Sequence, residues 1–95
     1  MLLNSVKNAM RIDGTYHDEE LTELIDTAKL LLKEVGVLEV KIIDEDPLIR
    51  KAVITYCKAN FGIDASGGEK FAGAFEEMKK LLSLLSSYTE PEAIA

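Results

Sequence analysis

The most regular pattern of hydrophobic positions in the chain lies between residues 21 and 35. Its apolar residues fall at offsets of 0, 3, 4, 7, 10, 11 and 14, which is one face of a helix. They are Leu21, Leu24, Ile25, Ala28, Leu31, Leu32 and Val35. Gly36 then stands where helices commonly end in a left-handed residue. The pattern predicts a helix over residues 18–35, with Asp18 as its cap.

Three further segments have helical spacing. Residues 3–10 carry apolar side chains at intervals of three and four before the Asp13-Gly14 turn. Residues 47–61 begin with Pro47, which is favoured in a first helical turn, and follow Asp46 as a natural cap. Residues 69–87 form the last helix. Its stripe consists of Phe71, Phe75, Met78, Leu82 and Leu85.

The third helix is apolar on two sides, which is typical of a central helix in a bundle. One side consists of Ile49, Ala52, Val53, Tyr56 and Cys57. The other side consists of Leu48, Ile54 and Phe61. We therefore expect the other helices to pack around this one.

The stretch LEVKI, residues 38–42, has a different pattern. Its apolar residues alternate with Glu39 and Lys41, as in a half-buried strand, but no convincing second strand is present to pair with it. Two interpretations follow: an extended connector over residues 37–45, or a short edge strand whose partner lies in another subunit.

These elements predict an all-α fold, a small bundle of about four helices. The chain of 95 residues is the length of one domain with a single modest core. We expect a single helical domain over residues 1–89. The tail at residues 90–95 lacks periodicity, and we expect it to be flexible.

Composition excludes several classes of function. The net charge of −6 argues against sequence-specific binding of nucleic acid, which needs a surplus of lysine and arginine. No apolar run is long enough to span a membrane, and the first residues lack the features of a signal peptide. Cys57 is the only cysteine, so no internal disulfide forms and a reducing compartment is the simplest setting.

The stretch MRIDGTYHDEELTELI, residues 10–25, gathers acidic residues around the only histidine, His17. An EF-hand loop counted from Asp13 would need glycine at its sixth position and glutamate at its twelfth, where Asp18 and Leu24 stand. One histidine does not make a zinc site. Asp18 as a cap, followed by acids in the first helical turn, accounts for the same residues, so we interpret the cluster as a helix start.

Two other features resemble sites only in part. Gly62 and Gly67 have the spacing of a phosphate-binding loop, but Gly68-Glu69 replaces its lysine and hydroxyl residue, so a loop between helices is the better interpretation. Cys57 has apolar neighbours and no histidine near it in the sequence, which favours a buried structural thiol. The sequence thus predicts no catalytic, cofactor-binding or metal-binding residue, and no enzyme.

Three stretches of the chain resemble the head–tail connector family of tailed bacteriophages and prophages. The first is VKNAMRID, followed by an acidic turn and DEELTELIDTAKLLL. The second is DPLIRKAVITYCKANFG, and the third is the leucine-rich LLSLLSSY. They occur in the family's order and together span most of the chain.

The resemblance implies a structural protein of the virion at the head–tail junction, assembled in the host cytoplasm or encoded by a prophage. Family members form a ring below the portal, usually of about a dozen subunits in closed symmetry. The implied partners are other copies of the chain, the portal protein and the next head-completion or tail protein, with DNA passing through the ring.

Two alternatives stay open. A helix-turn-helix regulator should carry a lysine- and arginine-rich recognition helix, whereas the third helix offers only Arg50, Lys51 and Lys58. A small acidic adaptor or regulatory protein that binds a single partner protein would remain monomeric at any concentration.

If the chain assembles, its contact surface should contain leucines that the core does not need. Leu30 and Leu84 lie beside the main stripes of the second and fourth helices. Together with Leu38, Val40 and Ile42 of the LEVKI segment, they are the predicted subunit interface.

Overall fold

Five α-helices and one 3₁₀ turn make up the fold. A computed structural model describes residues 2–61 and 68–91. The helices are α1 (Leu2–Met10), α2 (Asp18–Glu34), α3 (Pro47–Asn60), α4 (Gly68–Leu84) and α5 (Ser86–Thr89), and the 3₁₀ turn is Glu39–Lys41. The described residues contain no strand, so the prediction of an all-α bundle is confirmed.

Helix α3 lies at the centre of the bundle and contacts α1, α2 and α4, as its two apolar sides predict. The side chains from these helices that form the core are fully or almost fully buried. They are Leu2, Val6, Leu21, Ile25, Ala28, Leu32, Val37, Ile49, Ala52, Val53, Cys57, Phe75 and Leu82. The core therefore takes residues from the four long helices and one from the chain just after α2.

Helices α1 and α2 both end in a Schellman motif. After α2, Gly36 has φ +105° and donates to the Lys33 carbonyl at 3.0 Å, while Val37 N–H donates to the Leu32 carbonyl at 3.1 Å. The predicted stop at Gly36 is thus confirmed. After α1 the same left-handed position is taken by Arg11, with φ 58°. A side chain in this conformation costs roughly 1 kcal/mol that glycine would not.

The predicted role of Asp18 is wrong. The residue before α2 is His17, which makes no side-chain cap hydrogen bond, and Asp18 is already the first helical residue. Its carboxylate instead lies 2.8 Å from the Lys7 ammonium of α1. Lys7 also donates to the Gly14 carbonyl, so it ties α1, the turn and α2 together.

The segment between α2 and α3, residues 35–46, is called the link below. The edge-strand alternative is wrong, and the predicted connector over residues 37–45 is extended only in part, because Glu39–Lys41 within it forms a 3₁₀ turn. Lys41 N–H donates to the Leu38 carbonyl at 2.9 Å and Ile42 N–H to the Glu39 carbonyl at 3.0 Å. These local bonds satisfy the backbone without a partner strand.

Helix α3 begins as predicted, and α4 ends earlier than predicted. Asp46 accepts hydrogen bonds from the N–H groups of Leu48 (2.9 Å) and Ile49 (3.2 Å), with Pro47 in the first turn. Helix α4 ends at Leu84 instead of residue 87. Leu85 is extended, and the single turn of α5 follows it. The predicted flexible tail comprises residues 90–95. Its residues 92–95 lie outside the described residues.

Candidate assembly surface

Four elements meet at one end of the bundle, which is called the link end below. The link carries the chain from the end of α2 to the start of α3. The Leu2 N–H at the start of α1 donates to the Asp44 carboxylate at 3.0 Å. Leu38 N–H donates to the carbonyl of Tyr88, which follows α4 by four residues, at 2.9 Å. The link end therefore brings together the start of α1, the end of α2, the start of α3 and the segment after α4.

Large apolar side chains are exposed at this end. Val40 on the 3₁₀ turn is 75% exposed, Leu84 at the end of α4 is 74% exposed, and Leu30, one turn before the end of α2, is 62% exposed. An isolated exposed leucine is common on a protein surface. Here three such residues lie on elements whose ends converge, which makes this end of the bundle the candidate interaction site.

The two predicted leucines lie opposite the core rather than beside it. On ideal helical geometry Leu30 is about 170° from the middle of the buried face of α2, and Leu84 is about 150° from that of α4. Neither side chain belongs to the core cluster. Packing within one subunit therefore gives no reason for leucine at either position.

The other predicted contact residues differ in their surroundings. Val40 faces solvent, Leu38 is half-buried, and Ile42 packs against the core. Ile42 therefore has a use within the subunit that Val40 lacks. Exposed Ile43, Leu48 and Leu81 were not predicted as contact residues. Leu81 lies one turn before Leu84, and this spacing was the available signal for it.

A shallow groove of about 560 Å³ opens on the link end. It is lined by Leu38, Glu39, Val40, Lys41 and Pro91. On its rim Glu39 lies 3.5 Å from the ammonium of Lys33. The groove thus has largely apolar walls with one acidic and one basic residue among them, which suits a protein side chain better than a charged ligand.

Asp46 and Tyr88 join the start of α3 to the C-terminal segment. The Tyr88 hydroxyl donates to the Asp46 carboxylate, with oxygen–oxygen distances of 3.0 and 2.9 Å. The pKa of Tyr88 is raised by partial burial, and further by the hydrogen bond to Asp46 and by its negative charge. One carboxylate therefore caps α3 and holds α5 against the link.

The opposite end of the bundle has a different character. Tyr16, in the turn between α1 and α2, is 92% exposed and lies edge-on to the ring of His17 at 4.8 Å. His17 in turn lies edge-on to Phe61 at 5.0 Å. Tyr16 and His17 border a concavity of about 380 Å³ whose other residues are Glu19, Glu20 and Glu23. This end is acidic, and Tyr16 is an exposed residue that sequence reasoning did not single out.

Comparison with known families decides what kind of protein this is. A family model described as "Phage connector protein" matches residues 2–89, which includes all five helices. The chain belongs to the phage connector family. The connector is thus a structural bacteriophage protein of the head–tail connector type and a component of the virion. No similarity to a curated protein or to a solved structure was detected.

The phage connector family is a structural family and not a family of enzymes. Burial raises the pKa of the Cys57 thiol to about 12, so at neutral pH it is protonated and enclosed in the core. Within residues 2–61 and 68–91, no group of three or more histidine, cysteine or acidic side chains could hold a metal. The phosphate-loop spacing at residues 62–67 lies outside the described residues.

None of the helices in the described ranges has both the length and the apolar character needed to cross a bilayer.

Proposed function

We propose that this connector forms a closed ring below the portal, extends the DNA conduit and provides a platform for tail or head-completion proteins. Membership of the phage connector family supports a role between head and tail. The observation that carries the finer proposal is the exposure of large apolar side chains, Leu30, Val40 and Leu84, on elements whose ends meet at the link end. A subunit that acted alone would gain nothing by keeping these side chains in water.

The small number of exposed apolar side chains favours an assembly in which each subunit makes several contacts at once. Burying one exposed leucine or valine contributes about 2 kcal/mol at most. Association of two proteins costs roughly 4–15 kcal/mol in lost freedom before any net affinity remains. A single pairwise contact through these residues is therefore weak. A subunit held by two neighbours and by the portal gains from each of them, so the ring forms on the portal or at high concentration.

Charge supports the proposed relation to DNA. The chain carries a net charge of −6, and exposed carboxylates of Glu19, Glu23 and Asp26 lie on the outer face of α2. An acidic wall does not release counterions from DNA and so does not hold it. DNA passing through the ring would slide along such a wall, at the head–tail junction of the virion.

Charge substitution at the predicted contact residues tests this proposal. Leu30→Glu and Leu84→Glu should leave the helical circular dichroism signal and melting temperature nearly unchanged, because both side chains are exposed. Ring formation, or attachment to purified portal, should fall sharply for at least one of them. Ala72→Glu adds the same charge at another exposed position of α4 and is the matched control.

The results separate the proposal from its main alternative. Normal assembly of both leucine variants would show that the subunit contacts lie elsewhere on the chain. If the unaltered protein stays monomeric at high concentration and does not attach to portal, the ring proposal is wrong and the single-partner adaptor is favoured. A measurement of binding to mixed-sequence duplex DNA at physiological salt should show none.

A further inference from the structure

The end of α4 is bent where its sequence favours a straight helix. The apolar spacing predicts one helix to residue 87, yet Leu85 adopts extended angles of φ −91° and ψ 115°. The following residues, Ser86–Thr89, form one separate turn, α5. Residues 85–89 are called the strap below. The break contains no glycine or proline, but Ser86 and Ser87, which are weaker helix formers than leucine, follow it at once, and contacts with other elements hold the bent form.

Specific contacts of the strap provide that hold. The Tyr88 hydroxyl donates to the Asp46 carboxylate, and the Tyr88 carbonyl accepts from Leu38 N–H. A Cβ placed on Gly36 would lie 4.0 Å from the Thr89 methyl group, so the strap passes close to the end of α2. No residue of α5 is fully buried. The bent form thus depends on a small number of contacts at the surface. A segment held by so few contacts can open locally without unfolding of the whole domain.

The straight form would change which side chains lie together. In a continuous helix of about 100° per residue, Leu81, Leu84 and Tyr88 fall within about 60° of one another, with Leu85 beside them. In the bent form Leu81 and Leu84 are exposed, while Tyr88 is turned away toward Asp46. Straightening would therefore complete an apolar stripe at the link end.

We propose that the strap is a conformational switch. In the free subunit it is latched to Asp46 and Leu38, and the apolar stripe of α4 is incomplete. On assembly it is released, α4 and α5 join into one helix, and Tyr88 is added to the surface formed by Leu81 and Leu84. The second state rests on the proposed function, whereas the opening of the strap in the free subunit does not.

One position of the strap allows a selective test. Ser86 is the first residue of α5, and Leu85 before it is extended, which is the geometry that proline and its preceding residue prefer. In a straight helix the same proline would remove a backbone hydrogen bond and clash with the preceding turn. Ser86→Pro therefore locks the bent form, and Ser86→Ala, a good helix former, is its matched control. Tyr88→Phe removes the contact of the latch with Asp46 and leaves the Asp46 cap and the backbone bond to Leu38.

Hydrogen exchange in the free protein tests the opening. The Leu38 amide, which donates to Tyr88, should exchange much faster than core amides of α3. Tyr88→Phe should raise its rate roughly tenfold, as expected for the loss of one hydrogen bond to a charged group. Ser86→Pro should lower the rate relative to Ser86→Ala. Exchange of the Leu38 amide only at the rate of global unfolding, in all variants, would overturn the proposal.

Assembly on purified portal tests the second state. Ser86→Pro should need about tenfold more protein than Ser86→Ala for the same attachment, since the locked strap withholds Tyr88. Equal attachment of the two variants would show that assembly does not use the switch. If the unaltered chain does not attach at all, the proposed function fails, and exchange of the Leu38 amide still decides whether the strap opens.

Discussion

Replacing Asp46 should reveal how much stability one carboxylate supplies at the link end. Asp46 accepts from two backbone N–H groups of α3 and from the Tyr88 hydroxyl. Asp46→Ala removes all of these bonds. Asp46→Asn keeps an acceptor oxygen for the cap and loses the negative charge. Tyr88→Phe removes only the bond from the hydroxyl.

The structure gives a magnitude for each variant. Loss of an aspartate cap costs about 1 kcal/mol in the free energy of unfolding. Loss of the Tyr88 hydrogen bond, which is partly exposed, costs about 1 kcal/mol more. Asp46→Ala should therefore lose about 2 kcal/mol, Tyr88→Phe about 1 kcal/mol, and Asp46→Asn less than Asp46→Ala. In a domain of this size, 2 kcal/mol lowers the melting temperature by roughly 8–16 °C.

Urea unfolding at neutral pH, followed by circular dichroism, measures these losses. The double variant of Asp46→Ala and Tyr88→Phe should be no less stable than Asp46→Ala alone, because the second change removes a bond already lost. Simple additivity of the two losses would refute the shared contact. Equal stability of Asp46→Ala and Asp46→Asn would refute the role of Asp46 as a cap.

Three other predictions concern the core and the helix ends. Val53 is fully buried, so Val53→Asp should unfold the domain by far-ultraviolet circular dichroism, whereas Val53→Ala should stay folded and lose about 2 kcal/mol. Burial raises the pKa of Cys57 from 9.0 to about 12, so the free energy of unfolding should fall as pH rises from 9 toward 12, and Cys57→Ser should reduce that slope. Because the pKa of Cys57 is higher in the folded than in the unfolded protein, its contribution to the free energy of unfolding is fully present below pH 9 and is lost as the pH rises. Arg11→Gly should stabilise the protein by about 1 kcal/mol or less in urea unfolding, and Gly36→Ala should destabilise it by about 1 kcal/mol, because both residues have positive φ.

The long helices could be predicted from sequence because their signals are local and agree with one another. Gly36 marks the end of α2, and Asp46 with Pro47 marks the start of α3. Glycine suits the left-handed backbone after α2, and aspartate followed by proline suits the first turn of α3. The central place of α3 followed from its two apolar sides.

The errors arose where one residue had more than one available partner. Asp18 fits a cap by type, but the Lys7 ammonium lies within reach across the turn. The alternating pattern of the link is typical of a strand, but its backbone forms hydrogen bonds within a turn and one hydrogen bond to the Tyr88 carbonyl. The apolar spacing at the end of α4 predicts a continuous helix, but the hydrogen bond from Tyr88 to Asp46 holds Tyr88 against the start of α3. Each outcome depends on a residue distant in sequence, which a local pattern does not contain.

The candidate surface was predictable only in part for the same reason. Leu30 and Leu84 were selected because they lie outside the buried stripes, and Val40 was selected as part of the unpaired LEVKI segment; all three are exposed. Their common location was not predictable, since it depends on how the link and the strap bring the ends of four helices together. Tyr16 was missed because one tyrosine in a turn carries no spacing signal.

The unlike ends of the bundle bear on how copies of the chain can stack. Placing the link end of one copy on the far end of another would press Val40 and Leu84 against Glu19, Glu20 and Glu23. Those carboxylates would lose water against apolar side chains, and Lys33 at this end is already paired with Glu39, so such a contact is costly. End-to-end repetition, which would give an open filament, is thereby disfavoured. If the connector forms a ring as proposed, this difference between its ends would favour a single layer of subunits, with a different protein bound on top.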